Sequence, residues 1–371
     1  MYRITHCEKL SDIVFQWNVD APDVARAAEP GQFVMLRLHE GSERIPLTVA
    51  DFDREAGTIT MVIQALGKTT TEMMTRYSTG DYFTDFVGPV GRPQHISDVG
   101  HVVLVGGGLG IAPIYPQLRA FKEAGNRVTA IVGFRNRDLM FWLDRFERYA
   151  DDLIVCTDDG SYGRAGFVTE ALRDLLENDR PDLAVAIGPL PMMNACSETT
   201  RAFGVKTMVS LNAIMVDGTG MCGSCRVTVD GKVRFACVEG PDFDAHLVDF
   251  PELLARQRRF KAQEAKANED YSHVCNIERL LFEEEKRSYK KLKTLLPHQV
   301  PMPERPAETR VKNFKEVNLG FSIEDAIEEA ERCIQCKNPT CIAGCPVQID
   351  IPRFVRHLLV RDIDGARDVI S

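Results

Sequence analysis

The stretch Asp217-Gly-Thr-Gly-Met-Cys222-Gly-Ser-Cys225, closed by Cys237, restricts the fold more tightly than any other part of this 371-residue chain. Cys222 and Cys225 stand in a C-x-x-C spacing, close enough for both thiolates to hold one metal. Between Cys225 and Cys237 run two alternating segments, Arg226–Val229 and Lys232–Ala236, joined by Asp230-Gly231. Asp-Gly is a strong short hairpin signal, because a type I′ turn needs positive φ at both central residues. Such a turn sets Thr228 opposite Val233 and Val229 opposite Lys232, and carried back along the ladder it brings Cys225 beside Cys237. Three thiols then converge on a glycine-rich loop, and Asp217 is the carboxylate at its near end. Structural zinc and an iron–sulfur cluster both use such a set, and C-x-x-C alone does not separate them.

The loop resembles the cluster loop of the electron-transfer subunit of dihydroorotate dehydrogenase. It is more similar to that of the small subunit of NADH-dependent reduced ferredoxin:NADP oxidoreductase, in which the first ligand is aspartate. That resemblance implies a [2Fe–2S] cluster held by Asp217, Cys222, Cys225 and Cys237. Eleven cysteines in a chain whose first residues, Met-Tyr-Arg-Ile-Thr-His, do not read as an export signal point to metal or redox use in a reducing cytoplasm. A net charge of −9 argues against a nucleic-acid surface. Apolar runs such as 102–105 and 183–187 are too short to span a bilayer.

Residues 1–98 carry short β patterns at 13–19, 32–38, 58–64 and 82–87, bounded by Gly, Pro, Asp or Glu, which predict a small antiparallel β-barrel. Two of its loops carry chemistry, Arg44-Ile-Pro46-Leu47-Thr48 and Gly67-Lys-Thr69-Thr70. Gly-Lys-Thr here lacks the upstream glycine of a P-loop. Together and in this order the two loops resemble the flavin-binding loops of the ferredoxin reductase superfamily. The resemblance implies FAD, with Pro46, Leu47 and Thr48 facing the isoalloxazine. Gly67, Thr69 and Thr70 would hold the pyrophosphate through N–H and hydroxyl groups. The family's arginine, three residues before the Ser/Thr, falls on Ile45; Arg44, one place earlier, is the candidate phosphate partner.

Residues 99–208 change to an α/β rhythm. Strands at 102–105, 128–133, 153–156 and 183–187 alternate with helices reaching Ala124 and spanning 139–149 and 169–176, which predicts a parallel, doubly wound sheet. Three segments follow predicted strands at the carboxyl edge, where open α/β sheets bind ligands: Gly106-Gly107-Gly108-Leu-Gly110-Ile-Ala-Pro113, Thr157-Asp158-Asp159-Gly160, and Gly188-Pro189-Leu-Pro-Met192. The first is not G-x-G-x-x-G, and no acid marks the end of the second strand. In order the three resemble the nicotinamide domain of ferredoxin reductases. That implies NAD(H) beside Gly107, Gly108, Gly110, Pro113, Asp158, Gly188 and Met192. Cys156 and Cys196 have no motif around them and read as buried small hydrophobes.

After the small cluster lobe (209–250), residues 251–300 read as a linker of amphipathic helices; His273 and Cys275 there read as helix surface. The last module, 301–371, reads as an α-helical iron–sulfur domain. Ser322, with Asp325 three residues on, caps a helix that delivers Cys333-x2-Cys336-x4-Cys341-x3-Cys345-Pro346, close to the ferredoxin run. A zinc ribbon is the alternative. The segment resembles the N-terminal domain of glutamate synthase small-subunit-like oxidoreductases, also carried by the large subunit of the same ferredoxin:NADP oxidoreductase, which implies [4Fe–4S] ligands.

The expected whole is a fusion of the two subunits: barrel, doubly wound domain, [2Fe–2S] lobe, helical linker and helical iron–sulfur module. NAD(H) would exchange electrons with FAD, and these would pass through the [2Fe–2S] cluster toward [4Fe–4S] clusters. The implied partner, in a hetero-oligomer, is a large flavoprotein subunit with FAD and NADP(H) sites. Ferredoxin or a hydrogenase complex are further candidates. No second flavin domain follows Cys345, so the chain is not expected to bifurcate electrons alone. Two other readings keep the same chemistry: an electron-input subunit of a dihydroorotate, sulfide or hydrogenase complex, and an adaptor whose C-terminal cysteines complete a partner's clusters.

Overall fold

The structure is a computed structural model that describes residues 2–269, 299–306, 308, 311–312, 319–333, 339–347 and 349–370. It divides into two units, Met1–Glu269 and Asp270–Ser371.

The first unit opens with eight strands: β1 (Tyr2–Lys9), β2 (Val14–Asp20), β3 (Phe33–Arg37), β4 (Arg44–Thr48), β5 (Asp51–Asp53), β6 (Thr58–Gln64), β7 (Tyr82–Phe83) and β8 (Asp85–Val90). Helices α1 (Pro22–Ala27) and α2 (Lys68–Arg76) interrupt them. The strands form two antiparallel sheets, β5-β6-β2-β1-β7 and β4-β3-β8, around a core that includes Phe15, Trp17, Leu36, Met61 and Phe83. The hydrogen-bonded ladders stay separate, two sheets sharing one core where a single barrel was expected. The run expected as one strand over 82–87 is split at Thr84, whose N–H and hydroxyl both donate to the Leu38 carbonyl. Arg44–Thr48, expected as a loop, is an edge strand paired with β3, Met35 facing Pro46.

Seven further strands and four helices build the nucleotide region: β9 (His101–Gly107), α3 (Ile111–Glu123), β10 (Arg127–Phe134), α4 (Leu143–Tyr149), β11 (Asp152–Thr157), β12 (Arg164–Ala165), α5 (Val168–Asn178), β13 (Leu183–Ile187), α6 (Leu190–Ala202), β14 (Lys206–Ser210) and, from the lobe, β17 (Asp242–Asp244). The sheet order is β12-β11-β10-β9-β13-β14-β17, parallel except for β17. Central β9 is buried along its whole length, as a strand covered on both faces must be. Its alternate side chains serve two cores. Val102 and Leu104 pack with α3 and α4, and Val103 and Val105 with α5 and α6.

The helix expected from Leu139 starts only at Leu143. Trp142 takes a left-handed φ of 59° and buries its indole, which donates to Gln16 Oε1 of β2 at 3.2 Å. Anchoring a large aromatic across two layers outweighs one more turn of helix.

The lobe consists of β15 (Arg226–Val229), β16 (Lys232–Phe235), α7 (Ala236–Glu239) and β17, followed by α8 (Phe250–Gln257) and a helical stretch over 261–269. Phe250 and Leu253 are buried in the same core as Val227 and Val229, so the unit continues past residue 251, where the linker was expected to begin. The expected linker positions His273 and Cys275 lie outside the described residues.

In the second unit four helices are described: α9 (Ile323–Ala330), α10 (Thr340–Gly344), α11 (Ile351–Leu359) and α12 (Ile363–Ile370). Helix α11 packs on both α9 and α12.

Candidate functional site

At the carboxyl edge of the parallel sheet, β9 and β13 are neighbours, and the chain order reverses direction between them. That is the switch point where such sheets bind ligands. The expected residues gather there, for more than one reason. A Cβ on Gly107 would strike Met192 Sδ, and one on Gly188 would lie 2.9 Å from Met192 Cε. A Cβ on Gly110 would run into the Ile187 carbonyl. Gly107, Gly110, Gly188 and Met192 thus pack the turn against the end of β13. Gly108 differs: its φ is +55°, no atom lies within 4 Å of its Cβ position, and it is exposed. Pro113 is half-buried in the first turn of α3, and Asp158 is exposed just after β11.

On the flavin-domain side, β4 is the open edge of its sheet, with Ile45 through Thr48 half-buried. Arg44 leans on Asp85 at 3.5 Å, which Arg37 also engages at 2.7 Å. Gly67 caps α2. The Thr69 hydroxyl donates to Glu43 Oε2 at 2.7 Å, and the Thr70 hydroxyl donates to the Gly67 carbonyl while accepting from the Leu66 and Gly67 N–H groups. The hydroxyls expected to hold phosphate are therefore committed within the chain. What this nine-residue helix offers an anion is its first-turn N–H groups, which have no intrahelical acceptor.

The hairpin pairs Thr228 with Val233 and Val229 with Lys232, with Asp230 and Gly231 at φ of 52° and 65°. The geometry read from Asp-Gly is therefore present, and at its base Cys225 Sγ and Cys237 Sγ lie 3.1 Å apart, both buried. Burial and the neighbouring thiol push Cys237 up to about 12. Two thiols so enclosed lose their protons together only with a cation between them, which fits a metal or an iron–sulfur cluster. Cys222 is exposed, and the Ser224 N–H and hydroxyl draw its thiol below the usual range. Asp217 accepts from the N–H groups of Thr219 (2.9 Å) and Cys222 (3.1 Å), with Oδ1 and Oδ2 respectively. The thiol pair is assembled; among the described residues no third acid, imidazole or thiol joins it closely enough to make a metal site.

Sequence reading missed what lies under this loop. A Cβ on Gly218 (φ +77°) would sit 2.6 Å from Met35 Cγ, so the loop rests on β3, whose Met35 faces Pro46 of β4. It also missed Asp242, an ordinary-looking loop acid. Its Oδ2 accepts from Gln117 Nε2 of α3 at 3.2 Å and its Oδ1 is enclosed without a partner. Nothing in the local pattern signals either contact, since both join segments distant in sequence.

Cys156 and Cys196 are buried, and burial pushes the Cys196 thiol up to about 12, so both behave as apolar residues. In the second unit, Ser322 and Asp325 form the expected capping box on α9, which leads into Cys333. Cys341 is exposed on α10, and Cys345 is half-buried at its end. Cys336 lies outside the described residues.

Comparison with known proteins follows this division. Residues 212–249 match a family profile described as the iron–sulfur cluster binding domain of dihydroorotate dehydrogenase B, and 104–198 match the oxidoreductase NAD-binding domain. Residues 310–371 match dihydropyrimidine dehydrogenase domain II, 4Fe-4S cluster. A Thermotoga maritima homologue of the dihydroorotate dehydrogenase B (NAD(+)) electron transfer subunit is 49% identical over 256 residues, covering 69% of this chain and 90% of that protein. The chain belongs to this electron-transfer subunit family.

A further family relative, an uncharacterised Clostridium beijerinckii protein, is 45% identical over 276 residues, covering 72% of this chain and 93% of its own length. Among solved structures, a chain of NADH-dependent reduced ferredoxin–NADP oxidoreductase, studied for flavin-based electron bifurcation, is 47% identical with a TM-score of 0.69. The match covers 73% of this chain and 98% of that one. Family membership makes the chain an oxidoreductase subunit. Among the described residues no helix is long and apolar enough to cross a membrane.

Proposed function

We propose that this chain is the NADH-side electron-transfer subunit of a hetero-oligomeric oxidoreductase. It would pass electrons between NAD(H), FAD, a [2Fe–2S] cluster and [4Fe–4S] clusters, as in electron-bifurcating ferredoxin:NADP oxidoreductase. The observation that carries this reading is the seat of the cluster loop. Gly218 lies on Met35, and Met35 faces Pro46 across one strand spacing of about 4.8 Å. The residues proposed to hold the cluster and those proposed to face the flavin are therefore joined through a single cross-strand pair.

Each role falls to residues already placed. Gly108 presents backbone to the dinucleotide at the switch point, and Asp158, exposed just after β11 at the same carboxyl edge, flanks it; the preference for NAD over NADP rests on the family likeness. The half-buried edge strand β4, through Pro46, Leu47 and Thr48, gives a flat apolar wall for the flavin ring. The first turn of α2 receives its pyrophosphate through the N–H groups of Thr69 and Thr70, with Gly67, whose own N–H is held by the Thr70 hydroxyl, at the cap. Cys225 and Cys237 supply two thiolates from the hairpin base, with Cys222 and Asp217 closing from the loop. Cys333, Cys336, Cys341 and Cys345 are proposed [4Fe–4S] ligands. Bound in this order, a flavin couples two-electron exchange with nicotinamide to one-electron exchange with iron–sulfur centres. The proposed partner is a large flavoprotein subunit with FAD and NADP(H) sites.

Iron, acid-labile sulfide, zinc and flavin contents of anaerobically purified protein, followed by NADH titration under EPR, test the proposal. One FAD, two or more irons and a cluster signal appearing on NADH addition are expected. Zinc without flavin would refute it.

A further inference from the structure

We propose that Arg226, Arg256 and Arg259, beside the cluster loop, form the docking face for a one-electron carrier protein with an acidic surface. The inference rests on the electron-transfer reading above and adds where one acceptor binds and what its surface must carry.

The three arginines line a shallow hollow of about 200 Å³ together with Ser224 and Val216 of the loop and Leu253 and Phe260. In a chain of net charge −9, three like charges meet here, and among the described residues none of them forms an ion pair with a carboxylate. Their repulsion is felt within the protein. Burial, then Arg226, and more weakly Arg259, lower the proton affinity of Arg256, against a partial offset from Glu252. Two of the arginines also help shape the loop, Arg226 donating to the Gly223 carbonyl at 3.2 Å and Arg256 to the Ser224 carbonyl at 3.3 Å. Arg259 makes no such bond among the described residues and is exposed, so loop shape does not account for it.

The rim distinguishes a protein partner from a small anion. Val216 (54% exposed) and Phe260 (45%) line the hollow beside the charges, and Met221 of the cluster loop is 85% exposed. Arginine, methionine and aromatic side chains are the types enriched in protein interfaces. The hollow is also smaller than the roughly 300–1,000 Å³ of small-molecule sites. Its position suits electron exit, because Ser224 lies between Cys222, the exposed thiol, and Cys225. The balanced reaction takes one NADH and two oxidised carriers to NAD+, a proton and two carriers each reduced by one electron.

The test uses the full holoprotein with a small acidic [2Fe–2S] ferredoxin as carrier and the neutral quinone menadione as a small acceptor, both driven by NADH. In R226E/R259E, kcat/KM for the ferredoxin should fall by roughly tenfold or more and lose most of its salt dependence, as expected when interface charges are reversed. Menadione reduction and iron and flavin contents should stay unchanged in R259E, which leaves the Arg226 bond to the Gly223 carbonyl intact. R259E alone should show the same effect in smaller measure. It guards the test against damage to the loop, so an equal loss toward both acceptors in R259E would overturn the proposal. Unchanged ferredoxin kinetics would also overturn it while leaving the electron-transfer reading intact. A salt-sensitive dimer of the wild type, abolished in R259E, would assign the face to a second copy and overturn it as well. If the wild type reduced neither acceptor, the underlying functional reading would fail, and this inference with it.

Discussion

Asp242 → Asn is the substitution whose consequence follows most directly from the structure. The side chain sits where three parts of the first unit meet: β17 of the lobe, Gln117 of α3, and Gly31, whose Cβ position lies 2.9 Å from Asp242 Oδ2. The residue keeps some exposed surface, but its carboxyl is enclosed. Burial raises it to about 7 from an ordinary 3.8, with hydrogen bonds from Ser210 and Gln117 offsetting only part. A raised carboxyl stabilises the fold most below about pH 3.8, and that stability is lost as pH climbs through 7. At about 1.36 kcal/mol per tenfold in proton affinity, the full loss is on the order of 4 kcal/mol. About 3 kcal/mol of it falls between pH 5 and 8. An amide keeps the shape and never ionises. The Tm advantage of the variant over wild type should therefore grow by roughly 3–6 °C from pH 5 to pH 8, measured by differential scanning calorimetry on the holoprotein. A gap that stays constant with pH, or widens toward acid, would show that the enclosed carboxyl is not the titrating group.

Other expectations are simpler. If Asp217 is a cluster ligand, Asp217→Ala changes the cluster EPR spectrum; an unaltered spectrum would mean that the carboxylate only shapes the loop through Thr219 and Cys222. Gly110→Ala drives a methyl toward the Ile187 carbonyl and should cost about 1–3 kcal/mol and raise KM for NADH, with both unchanged if the turn has room to move. The Cys196 thiol should resist maleimide in the native protein and react only on unfolding, as mass spectrometry would reveal. Turnover with NADH should exceed that with NADPH when the two are compared directly; an NADPH preference in the wild type would overturn the choice of NAD.

What could be read from the chain depended on how local the determining contact was. The hairpin at Asp230-Gly231 needs only its own backbone, and its register and the meeting of Cys225 with Cys237 were legible. The capping box at Ser322 and Asp325 is local in the same way. The alternation of strands with helix-length segments over 99–208 revealed the parallel sheet, because parallel neighbours need a crossover about as long as a helix. Legibility failed where a distant partner decides. Arg44–Thr48 became a strand because β3 pairs with it, and Trp142 delayed its helix because Gln16 lies across the layer. Thr69 and Thr70 have the composition of a phosphate loop, yet Glu43 and Gly67 take their hydroxyls. Glycines such as Gly107 and Gly110 serve packing against Met192 and Ile187, a constraint that composition does not distinguish from ligand approach.

The lobe's third strand, β17, is a rung of the nucleotide sheet, paired with β14 through Met208, Val209 and Ser210. Further backbone bonds, Arg92 N–H to the Gly240 carbonyl and Leu211 N–H to the Pro241 carbonyl, fasten the lobe at the same place. A lobe woven in this way has no hinge on which to swing toward its donor. Electron arrival in it is then timed by driving force and not by diffusion of a tethered domain. Added viscogen should slow encounters with an outside carrier while leaving the internal step at its native pace.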